Sequence, residues 1–259
     1  MDFDTFWRRM RQSRTAADRG LVICRQIPSS HELARRAARE YSAEGNLAPA
    51  SDFLAWHQTA GRGRYERRWA SPAGAGVYVS MVRRLRREQI QALPMTVSSA
   101  LATALREQAG VPCRVKWPND LIVGNRKLGG ILIDVVTSGD VDPIAVVSFG
   151  VNHGQISAFG EACAVSVSEQ GSSLALDELA TILMNRVDDD LRRVSNVSEV
   201  VTTYRGLSIH CLGDELECQL EGGSKDRTRG IFLGIDDQGL LRLEVAGKER
   251  RLSAGRLIG

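Results

Sequence analysis

The spacing of apolar positions along the chain predicts an α+β domain. Short apolar or alternating runs predict strands over residues 21–25, 53–57, 77–82, 121–123, 128–135 and 145–149. Apolar residues three and four positions apart predict helices after Ser29, from about Pro94 to Ala109, and from about Asp177. Ser29 followed by Glu32 is a capping-box pattern, which supports the start of the first of these helices.

The last fifty or so residues have a different pattern. Strand-like segments at 215–220, 230–235, 240–245 and 249–252 alternate with turns, and no helical period is present. This pattern is typical of a small β-barrel of SH3-like size. We therefore expect two domains, one over residues 1–206 and an SH3-like one over residues 207–259.

Composition restricts the class of protein. The 259 residues carry 34 Lys+Arg and 31 Asp+Glu, a net charge of +3, which is too small to indicate a nucleic-acid partner. No apolar run is long enough to span a bilayer, and no basic and apolar leader begins the chain. The five cysteines form no Cys-x-x-Cys pair and the four histidines have no ligand spacing. These features predict a cytoplasmic protein with no metal site of its own.

The segment from Gln58 to Trp69 carries glycines at 61 and 63 and four arginines. Glycine lets the backbone approach a ligand closely, and guanidinium groups bind phosphate or carboxylate in a bidentate manner. Glu66 stands where a dinucleotide-binding loop would need its third glycine, so that class of site is excluded. A bound anion is one interpretation of this loop, and a solvated basic loop is the other.

Two further segments carry candidate chemistry. A predicted hairpin would bring Lys116, Asp120 and Lys127 together, with the lysines around a phosphoryl centre and Asp120 holding a metal or orienting an amine. An ordinary turn with exposed lysines is the alternative. Asn152, after a buried strand, is either a hydrogen-bond partner for a nucleoside or a turn residue.

Together these segments resemble the biotin protein ligases. That family has the motifs Q-x-x-G-R-G-R-x-G-R-x-W, K-W-P-N-D, K-x-x-G-I-L and G-x-N, which match here at 58–69, 116–120, 127–132 and 150–152 in the same order. The resemblance covers roughly residues 21–257. It implies a mixed, antiparallel-rich sheet flanked by helices, of the class II synthetase-like type, with an SH3-like C-terminal domain. The short stretch before Leu21 leaves no room for a helix-turn-helix, so we expect the form without a DNA-binding domain.

The resemblance implies a two-step reaction. Biotin and ATP, with Mg²⁺, would give biotinoyl-AMP, and a lysine of a biotin carboxyl-carrier domain, such as that of acetyl-CoA carboxylase, would then take the biotin. The implied biotin-binding residues are Ser29, Ser30, Gln58, Gly61, Arg62, Arg64, Lys127 and Gly130. The implied ATP-binding residues are Arg64, Arg67, Trp69, Lys116, Lys127 and Asn152. The implied catalytic residues are Arg64, Lys116, Asp120 and Lys127.

This sequence departs from the family pattern at several positions of the motifs. The family Ser-Thr-Asn is Ser29-Ser30-His31 here, and Glu66 and Ser148 each replace a glycine. Two other readings therefore stay open: a lipoate-type ligase or transferase of the same superfamily, and a catalytically weakened biotin-binding protein. The sequence also leaves open whether the chain is a monomer or a homodimer.

Overall fold

The computed structural model describes residues 1–12, 20–44, 51–136, 142–154, 163–194, 196–219, 227–253 and 255–258. Five α-helices are present in these residues: α1 Phe3–Gln12, α2 Ser30–Glu44, α3 Arg87–Glu107, α4 Leu176–Arg193 and α5 Val197–Leu207. No helix in these ranges is long and apolar enough to cross a membrane.

A seven-stranded mixed sheet forms the centre of the larger part of the chain. Its strands are β1 Gly20–Cys24, β2 Ser51–Ala55, β3 Gly76–Arg84, β4 Arg114–Lys116, β5 Asp120–Val123, β6 Arg126–Val136 and β7 Ile144–Asn152. They lie in the order β1-β2-β3-β7-β6-β5-β4. Only β1 and β2 are parallel, and every other neighbouring pair is antiparallel. The predicted α+β class with an antiparallel-rich sheet is confirmed.

Helices cover both faces of this sheet. Ala34 and Ala38 of α2 pack on one face against Phe53, Val82 and Val146. The other face packs on α3 and α4, whose buried residues belong to the main core with Val77, Val79 and Met81 of β3. Burial on both faces explains why β3 and β7 are almost entirely buried.

One helix begins earlier than the sequence predicts. Helix α3 starts at Arg87 and runs through Pro94, which the sequence places near its beginning. Arg86 caps the helix, because its backbone N–H donates to the Gln89 side chain at 2.9 Å. Proline removes one backbone donor from the helix interior, and tertiary packing here overrides that cost. Helix α5 and strand β4 are two elements that the apolar pattern did not predict.

A second sheet follows α5. Its five antiparallel strands are β8 Glu215–Gln219, β9 Arg227–Ile235, β10 Leu241–Val245, β11 Lys248–Leu252 and β12 Arg256–Ile258, in the order β11-β10-β9-β8-β12. Phe232, Leu241 and Leu257 belong to the same core as the first sheet. The Trp117 indole N–H also donates to the Gly239 carbonyl at 3.2 Å. Closure of these strands into an SH3-like barrel, and the boundary at 206/207, stay predictions.

Candidate active site

A cavity of about 410 Å³ lies where the two sheets meet. It is lined by the loop from Arg62 to Trp69 except Glu66, by the segment 116–120, by parts of β6 and β7, and by residues 255–257 at the start of β12. Every residue implied by the resemblance lines this cavity except Gly61 and Asn152. Segments more than 190 residues apart in the chain therefore converge on one site, as the contact from Arg64 to Gly255 illustrates.

The Gly/Arg loop is folded on itself by backbone hydrogen bonds. The Trp69 N–H donates to the Gly61 carbonyl at 2.8 Å, and the Gly63 N–H donates to the Arg67 carbonyl at 2.8 Å. A Cβ atom on Gly61 would lie 2.5 Å from the Trp69 carbonyl oxygen. In this structure Gly61 therefore permits the close approach of two loop segments, and it does not line the cavity where the resemblance implies a contact with biotin.

Glu66 adopts a left-handed backbone conformation with φ of 57°. Glycine adopts this region freely, whereas other L-residues are strained there, which explains the glycine of the family pattern at this position. Its neighbour Arg67 has an ordinary φ of −66°. Glu66 therefore introduces backbone strain into the loop at a position where glycine would have none.

Replacement by glycine is expected to affect the two neighbouring positions differently. Both Glu66→Gly and Arg67→Gly increase the entropy of the unfolded chain, but only Glu66→Gly relieves left-handed strain. We expect Glu66→Gly to leave the free energy of unfolding about 1–2 kcal/mol higher than Arg67→Gly does. Urea unfolding of the two variants measures this difference, and equal free energies would contradict the assigned strain.

Arg64 joins the loop to two other parts of the site. Its guanidinium donates to Asn119 Oδ1 at 3.3 Å and to the Gly255 carbonyl at 3.5 Å. Asn119 in turn donates from Nδ2 to the Ile131 carbonyl at 2.6 Å. The guanidinium also bonds the Tyr65 hydroxyl and lies 4.7 Å from the centre of its ring. Arg64 therefore connects the loop with β6 and the second sheet.

The predicted grouping of Lys116, Asp120 and Lys127 is confirmed. Lys116 and Asp120 are paired across β4 and β5, and Lys127 Nζ lies 2.8 Å from Asp120 Oδ1. Burial lowers the pKa of Lys116, and the nearby charges of Arg256 and Lys127 lower it further against the opposing effect of Asp120. Burial likewise lowers the pKa of Arg67, with a further contribution from Arg256. Crowded positive charge of this kind favours a bound anion.

Trp69 packs on paired glycines of β6 and β7. A Cβ on Gly150 would lie 2.6 Å from Trp69 Nε1, and one on Gly130 would lie 3.2 Å from its ring. Lys127 Nζ lies 5.3 Å from the centre of the same ring. Trp69 Nε1 is buried and has no hydrogen-bond acceptor among the described residues. The indole is thus held at the cavity wall beside the lysine.

Asn152 lies behind the cavity wall. Its side chain is buried and donates from Nδ2 to the Val165 carbonyl at 3.0 Å and to the Lys127 carbonyl at 3.4 Å. These bonds fix the backbone of Lys127, the residue whose amine reaches the cavity. The structure therefore gives Asn152 a supporting position, and its implied contact with ATP stays a prediction.

The opposite region of the cavity is lined by hydroxyl, amide and imidazole groups. Ser29, Ser30, His31, Gln58 and Ser148 line it. Ser29 Oγ caps α2 by accepting the Glu32 N–H at 3.4 Å, and Gln58 Oε1 accepts the Ser30 N–H at 2.8 Å. Along β6 the lining residues extend from Lys127 to Leu132, five residues or about 17 Å in an extended strand. The cavity is therefore elongated, with a region of hydroxyl, amide and imidazole groups and a cationic region.

The cationic region is strongly unbalanced in charge. Among the residues that the structure describes, Asp120 is the single carboxylate that lines the cavity, against seven basic residues: Arg62, Arg64, Arg67, Arg68, Lys116, Lys127 and Arg256. No cluster of three or more potential metal-ligating side chains occurs in the part of the chain that the structure describes. Arg256, Arg68 and Asn119 were not singled out from the sequence. Arg256 could not have been, because it reaches the cavity only through the packing of the second sheet.

Comparison with known proteins shows which family the chain resembles. Residues 36–152 match the model of the biotin/lipoate A/B protein ligase family. The chain is 29% identical over 245 residues to a biotin–[acetyl-CoA-carboxylase] ligase of Mycobacterium tuberculosis, an alignment that covers 92% of this chain and 87% of that protein. It is 32% identical over 212 residues to the bifunctional ligase/repressor BirA of Escherichia coli, covering 78% of this chain and 64% of that one.

Among solved structures, a biotin protein ligase from Aquifex aeolicus in complex with biotin and ATP has a TM-score of 0.73 and 22% identity, with 92% of this chain and 97% of that chain covered. The likeness establishes a shared fold. The chain thus resembles the biotin/lipoate A/B protein ligase family, whose model residues 36–152 match. Of the two sequence relatives, the Mycobacterium tuberculosis protein is named as a biotin ligase and the Escherichia coli protein as a ligase and repressor.

Proposed function

We propose that this chain is an ATP-dependent biotin protein ligase. The observation that carries the proposal is the elongated cavity, in which a hydroxyl- and amide-lined region continues into a region with seven basic side chains. The first suits an uncharged polar ring, and the second suits the carboxylate of biotin together with the triphosphate of ATP. The names of the sequence relatives agree with this reaction.

In the first step, a biotin carboxylate oxygen attacks the α-phosphorus of ATP and pyrophosphate leaves. Two anions must meet, so positive charge has to surround the reacting atoms, and Lys116, Lys127 and Arg67 are placed to supply it. Arg64, which ties the loop to Asn119 and Gly255, would hold the loop over the mixed anhydride and keep water out.

In the second step, a lysine amine of the acceptor attacks the carbonyl carbon of biotinoyl-AMP, an amide forms, and AMP leaves. The amine loses its proton to water, and we propose that Asp120, about one-third exposed at the cavity, orients the amine for attack. We propose a biotin carboxyl-carrier domain of a carboxylase such as acetyl-CoA carboxylase as the acceptor. The cytoplasm as the compartment, and the choice between monomer and homodimer, stay predictions from the sequence.

This site could accept Mg²⁺ bound to the phosphates of the nucleotide. Mg²⁺ keeps several waters and binds through substrate phosphates and one or two carboxylates, so it needs no cluster of acidic residues. Asp120 is the lining carboxylate nearest the lysines and is paired with Lys127. When bound, the ion would neutralise phosphate charge, and the lysines and arginines of the chain would position the phosphates.

Binding of biotin and of lipoate distinguishes the competing functions. We would titrate the chain calorimetrically with each acid in the presence of Mg²⁺ and a non-hydrolysable ATP analogue. Biotin binding without a lipoate response supports the proposal. Binding of lipoate alone would contradict it in favour of the lipoate-type reading. Biotin binding by a chain that releases no pyrophosphate from ATP would favour the weakened binding protein.

Arg256 is expected to contribute to nucleotide binding from the second sheet. It is exposed and lines the cavity, so we expect Arg256→Ala to raise the KM for ATP by about three- to fivefold and to leave the Kd of biotin unchanged. Steady-state pyrophosphate release measures the former. Arg250→Ala, on β11 and outside the cavity lining, is the matched control. An unchanged KM for ATP in Arg256→Ala would exclude this role.

A further inference from the structure

A second cavity, of about 590 Å³, lies at the end of β3. Val79 of this strand lines the candidate active site, whereas Arg83, four residues or about 13 Å farther along it, lines the second cavity. The start of α3 and the last turns of α4 form the rest of its wall. We call it the arginine cavity. Its volume lies in the range of sites that bind small molecules.

The arginine cavity is rich in positive charge. The segment 83–87 contains four arginines in five residues. Among the residues that the structure describes, Asp188 is the single carboxylate that lines the cavity, against four arginines: Arg83, Arg84, Arg86 and Arg192. The side chains of Arg86 and Arg192 are 54% and 69% exposed, so both guanidinium groups are accessible to a ligand. Like charges gathered around one cavity favour a bound anion.

Arg83 is the buried member of this group, with a side chain that is 9% exposed. Its Nε donates to Asp188 Oδ1 at 2.7 Å, and its Nη1 donates to Asp52 Oδ1 at 2.7 Å. The remaining nitrogen, Nη2, is buried and has no hydrogen-bond acceptor among the described residues. A buried charged donor without an acceptor costs free energy, so Nη2 indicates a partner that these residues do not supply.

Two helix ends also face the arginine cavity. Helix α3 begins at Arg87, directly after Arg86, and the positive N-terminal end of its dipole favours an anion. Helix α4 ends at Arg193 with the opposite sign, and Arg86 offsets this end by donating to the Val194 carbonyl at 3.1 Å. The helix dipoles therefore leave the positive charge of the lining arginines in excess.

We propose that the arginine cavity binds a polyvalent phosphate anion, at a site separate from the candidate active site. Guanidinium groups present paired N–H donors that match phosphate oxygens in a bidentate manner. Four arginines against one carboxylate leave three positive charges at the wall, which a ligand with several phosphate charges balances better than a single carboxylate does. Free polyphosphate and the phosphate chain of a nucleotide share this chemistry.

Calorimetric titration with tripolyphosphate, at constant ionic strength in a buffer free of phosphate, tests the proposal. The unmodified chain should bind one tripolyphosphate in each cavity. We expect Arg86→Ala with Arg192→Ala to weaken one of the two sites by about tenfold or more. Lys116→Ala with Lys127→Ala should weaken only the other. Arg86→Lys with Arg192→Lys keeps the charge and loses the paired donors, so its Kd should be about three- to fivefold above that of the unmodified chain.

A matched control separates this site from a general attraction of anions. Lys248→Ala with Arg250→Ala removes the same charge from exposed positions of β11, outside the lining of both cavities. This variant should bind tripolyphosphate as the unmodified chain does. Repetition with a nucleoside triphosphate distinguishes the two sources of ligand. Equal Kd values at the arginine cavity assign it to phosphate alone, and a lower Kd for the nucleotide assigns it to nucleotides.

The outcomes separate this proposal from the proposed function. Loss of one site in Arg86→Ala with Arg192→Ala, beside an unchanged control, supports the arginine cavity. Equal losses in that variant and in the control would overturn it in favour of net charge. Binding at the active-site cavity alone would also overturn it, because water would then be the partner of Arg83 Nη2. Binding at the arginine cavity alone would support it and count against the proposed function.

Discussion

Replacement of Lys127 by alanine is expected to reduce biotin-dependent pyrophosphate release by about 10²- to 10³-fold. Lys127 Nζ lies 2.8 Å from Asp120 and 5.3 Å from the centre of the Trp69 ring, at the cationic wall of the cavity. Its charge would stabilise the extra negative charge that develops as the carboxylate approaches the α-phosphate. The variant also leaves Asp120 without this partner, which adds to the repulsion.

A double variant separates these two effects. Lys127→Ala with Asp120→Asn removes one charge of each sign, so it should recover part of the pyrophosphate release if unpaired Asp120 is a cause of the loss. Lys248→Ala, on exposed β11, is the matched control and should release pyrophosphate at the rate of the unmodified chain. Near-normal release by Lys127→Ala would remove Lys127 from the reacting centre.

We expect that a variant with Arg64 replaced by glycine still forms biotinoyl-AMP but releases it from the cavity. Arg64 contacts Asn119 and the Gly255 carbonyl, so the variant loses the contacts that hold the loop over the cavity. Loss of about 1.4 kcal/mol of such contacts corresponds to about tenfold faster release of the intermediate. Free biotinoyl-AMP acylates exposed lysines without selection.

Labelling of a bystander protein measures this leak. We would incubate each variant with biotin, ATP and a lysine-rich protein that carries no carrier domain, and measure bound biotin by mass spectrometry. Arg250→Gly, an arginine outside the cavity lining, should label no more than the unmodified chain. If Arg64→Gly makes adenylate at a normal rate and labels no bystander, Arg64 does not cover the intermediate.

Most of the fold is predictable from local patterns. Strands such as β3 and β7 have apolar runs long enough to identify them, and the antiparallel second sheet is visible in its regular turns. The start of α3 at Arg87 is not predictable in the same way, because Pro94 is typical of a first turn. Strand β12 has only three residues, too few for a period.

The residues of the candidate site likewise differ in how well the sequence predicts them. The Gly/Arg loop and the segment from Lys116 to Asp120 are contiguous motifs, so sequence reasoning finds their residues. The contacts between His31 and Ser148, and between Arg64 and Gly255, join distant parts of the chain, and no local pattern encodes them. Gly61 and Asn152 belong to the motifs, yet here they support the cavity from outside its lining.

Activation of biotin with ATP is the step on which the proposed function depends. Exchange of labelled pyrophosphate into ATP, measured with no acceptor protein present, tests it most directly because only the first step is observed. We expect exchange that requires biotin and Mg²⁺, and no exchange with lipoate in place of biotin. Absence of biotin-dependent exchange, or equal exchange with lipoate, would contradict the claim.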